Sequence, residues 1–209
     1  MKGIFFRFWI LPFCLLGLSL ICSVGCARYH ATALSSVCPD AIHTTAPSDG
    51  LIVAAKAFSK ADCKRYLDRD LISKGFQPIQ LYIENVSDKT YLFSTSRVNL
   101  PLCPPEEVAK KAHTSTLARI GGYGAAAIFA SPLFVIPAVI DGLGSSRANS
   151  VLDHDFAEKS AKDQLIPPYT HKNMLLFIPI DSTQDSFVVT LLDEETNKPK
   201  RLLVRVSEG

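Results

Sequence analysis

Apolar and polar residues alternate with the period of a β-strand in the first half of the chain. The apolar run Leu51–Phe58 predicts one strand, and the clearer alternation over Ile79–Glu84 predicts a half-buried second strand. The polar turn Asn85–Lys89 then leads to a third predicted strand, Tyr91–Val98. The second and third strands are therefore expected to pair as a β-hairpin.

Helical patterns lie between and after these strands. The stretch Ser59–Gly75 opens with a capping-box pattern, Ser-x-x-Asp, carries apolar residues at helical spacing and ends on a glycine. Pro104–His113 predicts a second helix, because proline suits a first turn and acidic side chains favour the positive end of the helix dipole. A third helix is predicted to open at Asn149 or Ser150 and to run to about Lys162.

Strand patterns return in the last third of the chain, over Met174–Ile180, Ser186–Leu192 and Leu202–Val206. The last two flank the polar loop Asp193–Lys200 and predict a second hairpin. Five or six short, antiparallel strands thus bracket a helical insertion at about residues 104–165. The expected fold class is α+β, an antiparallel β-sandwich or sheet of Ig-like size with a helical, partly apolar hairpin insertion.

The chain carries no charged residue from Ile120 to Ile140, a stretch of about 20 residues, long enough to cross a bilayer. A single crossing would separate strands that need one shared sheet, and Pro132 and Pro137 interrupt any straight helix. A hairpin that dips into or faces the membrane is therefore favoured. A hairpin packed against the protein or a partner subunit and a single span are the alternatives. The predicted membrane contacts are Ile120, Phe129, Leu133, Phe134, Val135, Ile136, Val139 and Ile140.

A basic start containing Lys2 and Arg7, followed by an apolar stretch and small residues, is typical of a secretory signal. The signal is expected to span residues 1–25, with an uncleaved anchor as the alternative. Ser23-Val24-Gly25-Cys26 resembles the lipobox of bacterial lipoproteins, in which the cysteine becomes the acylated N-terminus. Ser23 departs from the aliphatic residue preferred there. Cleavage after Ala33 is the other possibility.

The lipobox resemblance implies acylation of Cys26 and attachment to the cell envelope. Ala27 is not the aspartate that retains many such proteins at the inner membrane, so the resemblance favours the outer membrane. Residues 26–49 are rich in small and polar residues and predict a flexible tether. Residues 50–209 then form a single β-rich domain.

Charge and cysteine content narrow the function classes. Lys2 and Arg7 account for the formal net charge of +2, so the chain without its signal is neutral and unlike a nucleic-acid-binding protein. Beyond Cys26 the cysteines are Cys38, Cys63 and Cys103. A Cys63–Cys103 disulfide is one prediction and buried free thiols the other. No catalytic, cofactor or metal motif is recognised, and Asp153-His154-Asp155 is interpreted as the solvated start of a helix.

The segment from Asp141-Gly142 through Ser145–Asn149 to Asp155-Phe156 resembles a pattern in uncharacterised exported lipoproteins of Gram-negative bacteria. The similarity covers about residues 75–209 and implies no activity. Two hypotheses follow. One is a membrane-attached binding or scaffold lipoprotein, with the lipid bilayer as partner. The other is a subunit of an export or secretion assembly, in which Gly121, Gly122 and Gly124 would allow close helix packing with envelope proteins or a second copy.

Overall fold

The computed structural model describes residues 28–35, 50–113 and 135–208, with helical side chains described from residue 146 onward. The described residues form an α+β structure with one seven-stranded mixed sheet and three α-helices. The strands are β1 (Leu51–Ala57), β2 (Phe76–Asn85), β3 (Tyr91–Phe93), β4 (Gln164–Ile166), β5 (Thr170–Pro179), β6 (Ser186–Asp193) and β7 (Pro199–Ser207). The helices are α1 (Lys60–Leu67), α2 (Pro105–Ala112) and α3 (Val135–Lys159).

The chain divides into two compact units. One comprises Met1–Tyr29 and Thr114–Val151, and the other comprises His30–His113 and Leu152–Gly209. The second unit contains all seven strands, together with α1, α2 and the last turns of α3. We call this second unit the β-unit.

The sheet has the strand order β4-β3-β6-β7-β1-β2-β5. Neighbouring strands are antiparallel except β1 and β7, which run parallel through the pairs Ala55–Val206 and Lys56–Ser207. The first and last strands of this order, β4 and β5, are consecutive in the chain and contact each other. The sheet therefore curls into a nearly closed barrel.

Alternate side chains of the strands fill the barrel, as the two-residue period of a strand requires. Strand β6 shows this most regularly, because half-buried and buried residues alternate along its whole length. Burial of one large apolar side chain contributes about 1.5–3 kcal/mol, so this interior is the main source of stability. The interior residues include Val53, Ile79, Leu81, Ile83, Phe93, Ile166, Leu176, Ile178, Val189, Leu191 and Val204.

A second apolar layer covers the outside of the barrel. Phe156 of α3 stacks on Phe177 of β5, with ring centroids 5.6 Å apart, and Tyr66 of α1 packs 5.4 Å from Phe58 after β1. Strand β2 is buried along nearly its whole length. The predicted half-buried strand is therefore buried on both faces, and its polar residue Gln80 is only 2% exposed.

Several predicted elements are confirmed. Ser59 and Asp62 form the capping box that opens α1, α2 begins at Pro105, and β6 and β7 form the expected hairpin. The first predicted helix is shorter than expected. Asp68, in the left-handed region with φ of 49°, ends α1, and a short 3-10 helix, Ile72–Lys74, follows.

Other predicted elements are wrong. The third strand covers only Tyr91–Phe93, and it pairs with β4 and β6 instead of β2. The hairpin does not form because both edges of β2 are already paired, one with β1 and the other with β5. The Asn85 side-chain amide at the end of β2 donates to the carbonyls of Lys89, Ile166 and Pro167. The third helix begins at Val135, well before Asn149 or Ser150. A single mixed sheet of seven strands replaces the predicted antiparallel sandwich, because β1 joins the two halves by pairing in parallel with β7.

Candidate functional site

The chain enters the β-unit along the surface of α1. The amide of His30 donates to Asp68 Oδ2 at 3.1 Å. The amide and the hydroxyl of Thr32 both donate to the carbonyl of Arg65, at 3.0 and 3.1 Å. Residues 30–35 belong to the stretch for which the sequence predicts a tether, and here they follow the last turn of α1.

The end of this short segment is held by the sheet. The side-chain amides of Gln80 and Asn173 donate to the carbonyl of Ser35 at 2.8 and 2.7 Å. The Ser35 hydroxyl lies 2.9 Å from the Tyr66 hydroxyl. The segment therefore covers the outside of β2 and β5 and explains why Gln80 is buried with its amide satisfied.

Lys159, the last residue of α3, fixes the middle of the segment. Its ammonium donates to the carbonyls of Thr32 and Tyr66 at 2.9 and 2.7 Å and to Asp155 Oδ2 at 2.6 Å. These contacts use all three protons of the ammonium, which is only 10% exposed. Lys159 thus joins α3, α1 and the entering chain.

Asp68 and Arg69 connect the entry point to α2. Arg69 Nη1 donates to Asp68 Oδ2 at 3.0 Å, and Arg69 Nε donates to the carbonyl of Ala112, the last residue of α2, at 3.1 Å. Burial alone would raise the pKa of Asp68. Hydrogen bonds from Lys64 and from the His30 amide, with the charges of Lys64 and Arg69, outweigh burial and lower this pKa below its ordinary value.

The chain leaves the β-unit after His113 and returns at Leu152, and these two points lie side by side. His113 Nε2 is 2.6 Å from Asp153 Oδ1. The chain on either side of residues 114–151 therefore meets at this contact. His30, Asp68, Arg69, Ala112, His113 and Asp153 therefore form one contiguous site, which we call the junction.

Basic side chains surround the end of α2 within this region. Lys74 donates to the carbonyl of Lys111 at 2.9 Å, and Lys111 pairs with Glu107 at 3.2 Å. Lys110 and Lys111 occupy the last turn of α2, where positive charge is favoured by the helix dipole. The chain therefore leaves the β-unit through a positively charged surface.

The structure tests only part of the predicted site. Cys26 and four of the predicted membrane contacts, Ile120, Phe129, Leu133 and Phe134, lie outside the described residues. Val135, Ile136, Val139 and Ile140 lie in the first turns of α3, and their side chains are outside the description. Within the described residues, no helix is long and apolar enough to cross a membrane.

The predicted Cys63–Cys103 disulfide is not present, because both residues are free thiols. Cys63 is fully buried in α1, and this burial raises the pKa of its thiol to about 11. Cys103 lies beside the barrel, where its amide donates to the carbonyl of Phe177 at 2.8 Å. The two thiols thus belong to different layers of the fold. Cys38 lies outside the described residues.

Sequence reasoning missed the junction and the neighbouring Lys159, since Asp68, Arg69 and Lys159 look like ordinary exposed charged residues in the sequence. Only their long-range partners distinguish them. In the described part of the chain, no three His, Cys, Asp or Glu side chains are grouped to hold a metal ion. No family model matches the chain, and comparison with curated proteins and with solved structures gives no match either.

Proposed function

We propose that the chain is an exported envelope lipoprotein whose β-unit acts as a binding or scaffold module attached to the membrane. Acylated Cys26 supplies one membrane contact and the uncharged segment Ile120–Ile140 supplies the other. The observation that carries this proposal is the junction, because the chain enters, leaves and re-enters the β-unit there. No catalytic activity is part of the proposal.

The short stretch of chain between Cys26 and His30 supports placing both membrane contacts near the junction. His30 lies four positions after Cys26, and a fully extended chain over four residue steps spans at most about 14 Å. An acyl group on Cys26 would therefore keep His30 and Asp68 close to the bilayer surface. Arg69 connects this point to Ala112, where the chain departs toward the apolar segment. Two weak contacts on one chain reinforce each other through high effective concentration.

Basic side chains beside the junction favour the same arrangement. Lys74, Lys110 and Lys111 are exposed around the exit of the chain. Basic residues near an anionic membrane surface contribute roughly 1 kcal/mol each to binding. This contribution supplements the apolar segment and does not replace it, because Glu107 neutralises part of the charge.

Acylation is tested by metabolic labelling with a clickable palmitate analogue. We expect label in the wild-type chain and in the matched control Cys38→Ala, and none in Cys26→Ala. Equal labelling of wild type and Cys26→Ala would show that Cys26 is not the acylated residue. On the lipobox resemblance, the labelled protein is expected in the outer-membrane fraction in preference to the inner membrane.

The second contact is tested on residues 27–209 made without the signal, a chain that has neither the apolar N-terminal stretch nor the acylation site. We expect the double substitution Phe134→Glu and Ile136→Glu to move the chain from the membrane fraction to the soluble fraction. Leu165 and Leu203, exposed by 45% and 53% on the barrel, provide the matched control when both are changed to glutamate. The same shift in the control would contradict a specific role for the apolar segment.

The small residues Gly121, Gly122 and Gly124 favour a second candidate function, a subunit of an export or secretion assembly. Close packing of this segment against other helices would give oligomers in mild detergent. We expect such oligomers to weaken in Gly121→Leu and Gly124→Leu. Monomers in the wild type and in both variants would exclude this candidate.

A further inference from the structure

A cleft of about 450 Å³ opens beside β5, where the barrel does not fully close. One wall is the edge of β5 at Leu175–Phe177, and the other is the chain from Thr95 to Pro105. Ser160 and Ala161, which follow α3, complete the lining. The cleft lies entirely within the β-unit, and its volume is within the range of small-molecule sites.

The edge of β5 in this cleft has already used its carbonyl groups. The amide of Ala161 donates to the carbonyl of Leu175, and the amide of Cys103 donates to the carbonyl of Phe177, both at 2.8 Å. A peptide strand binds a sheet edge through a row of such groups. The cleft is therefore unsuited to a peptide that adds as a further strand.

The hydroxyl groups that line the cleft also have partners within the protein. The Ser160 hydroxyl donates to the carbonyl of Phe156, and the Thr95 hydroxyl donates to Asp163 Oδ1 at 3.0 Å. The Ser96 hydroxyl lies 2.9 Å from that of Ser94. No charged side chain is among the described residues that line the cleft. A polar ligand would thus lose its hydration without gaining hydrogen bonds, at a cost of several kcal/mol.

The rest of the lining is apolar and includes Val98, Leu100, Leu102, Leu176 and Phe177. We propose that this cleft binds a linear, uncharged hydrocarbon chain, namely the acyl chain of a lipid whose polar head stays in solvent. This inference goes beyond attachment to the membrane. Lipid binding in the cleft does not depend on acylation of Cys26. Membrane attachment, in turn, does not depend on a lipid in the cleft.

Cys103 provides a reporter inside the cleft. Its side chain is half-buried, and burial together with the nearby Glu107 raises the pKa of the thiol. Alkylation of Cys103 is therefore slow, and a ligand that covers the thiol slows it further. Cys63 is buried in another layer of the fold and serves as an internal reference. Peptide mass spectrometry measures alkylation of each cysteine separately.

The experiment uses the full chain carrying Cys26→Ala in cholate, a detergent without a linear hydrocarbon chain, with N-ethylmaleimide as the alkylating reagent. We expect monolaurin to slow alkylation of Cys103 about tenfold at about ten times its Kd, since only the unoccupied protein reacts. Monobutyrin, with the same head group and a short chain, should give no protection. Lack of protection by monolaurin, or equal protection by both glycerides, would overturn the proposal.

Matched tryptophan variants test the location. Leu102→Trp fills the cleft and should abolish protection by monolaurin, whereas Leu203→Trp, on the outer barrel wall, should retain it. If Leu102→Trp does not fold, as judged by circular dichroism, Leu100→Trp replaces it. Protection that persists in the filled variant contradicts binding in this cleft.

A final arm separates two sources of the acyl chain. After the cholate has been removed by dialysis, because it would dissolve a bilayer, vesicles of dilauroyl phosphatidylcholine present the same chain from a bilayer instead of as a free lipid. Protection of Cys103 by the vesicles as well as by monolaurin supports a chain taken from the membrane. Protection by monolaurin alone supports a free lipid as the ligand.

Discussion

The substitution Asp68→Asn isolates the charge at the centre of the junction. Asparagine has nearly the same size as aspartate and accepts the left-handed conformation that Asp68 adopts at φ of 49°. The backbone of the helix end is therefore undisturbed. The substitution removes the negative charge of the carboxylate to which Arg69 and the His30 amide both donate hydrogen bonds.

The expected loss of stability follows from how exposed Asp68 and its charged partners, Arg69 and Lys64, are. Asp68 and Arg69 are 12% and 15% exposed, so their 3.0 Å hydrogen bond is a partly buried, charge-assisted bond worth about 1.5–3 kcal/mol. Lys64 is 69% exposed, and its pair with Asp68 adds only about 0.3–0.5 kcal/mol. We therefore expect Asp68→Asn to lower the free energy of unfolding by about 2–3 kcal/mol.

The assay is urea unfolding of the full chain followed by circular dichroism, with Asp70→Asn as the matched control. The Asp70 carboxylate accepts a hydrogen bond from the Ser73 amide within its own turn and joins no distant element, so the control should change the free energy of unfolding little. Hydrogen exchange of the His30 and Thr32 amides should accelerate in Asp68→Asn alone. Equal stability of the two variants would refute the role assigned to Asp68.

Three further predictions concern the hydrophobic core, the stability of the fold at acid pH and the junction. Phe156→Ala removes the ring stacked on Phe177 and should lower the free energy of urea unfolding by about 3–5 kcal/mol, while the exposed control Val151→Ala changes it little. Hydrogen bonds from the Thr196 amide and from Lys89 lower the pKa of Asp193 to about 2. This carboxylate therefore stabilises the fold above its unfolded pKa of about 3.9, and the stabilisation is lost as pH falls toward 2. Thermal unfolding between these pH values should be less pH-dependent in Asp193→Asn. His113→Ala removes the contact with Asp153 and should accelerate proteolysis of the chain after α2. The matched control is His154→Ala, next to Asp153 in α3 with its side chain 77% exposed, and it should not change the rate.

Local patterns were sufficient to predict the elements that depend on neighbouring residues. The alternation of apolar residues identifies β6 and β7, and their polar loop identifies the hairpin. The Ser-x-x-Asp pattern identifies the cap of α1 because both of its hydrogen bonds form within one turn. The uncharged stretch Ile120–Ile140 likewise follows from composition alone.

The candidate site could be predicted only in outline. The strands on both sides of the insertion belong to one sheet, as the sequence predicts, and His113 and Asp153 are in contact where the chain leaves and returns. The docking of residues 30–35 was not foreseen, because a segment of small and polar residues has no periodicity of its own. Its position depends on Lys159, Gln80 and Asn173, which are far away in the sequence.

The sequence by itself determined most of the strands, where α1 and α2 begin, and where the chain lacks charge. These features depend on backbone preferences and on interactions within a few residues. Only the tertiary structure decided that β1 pairs with both β2 and β7, that β5 takes the edge of β2 expected for β3, and that Asp68 and Arg69 join the entry and the exit of the chain. Partners so far apart are chosen by packing and hydrogen-bond satisfaction across the whole β-unit, which no local pattern encodes.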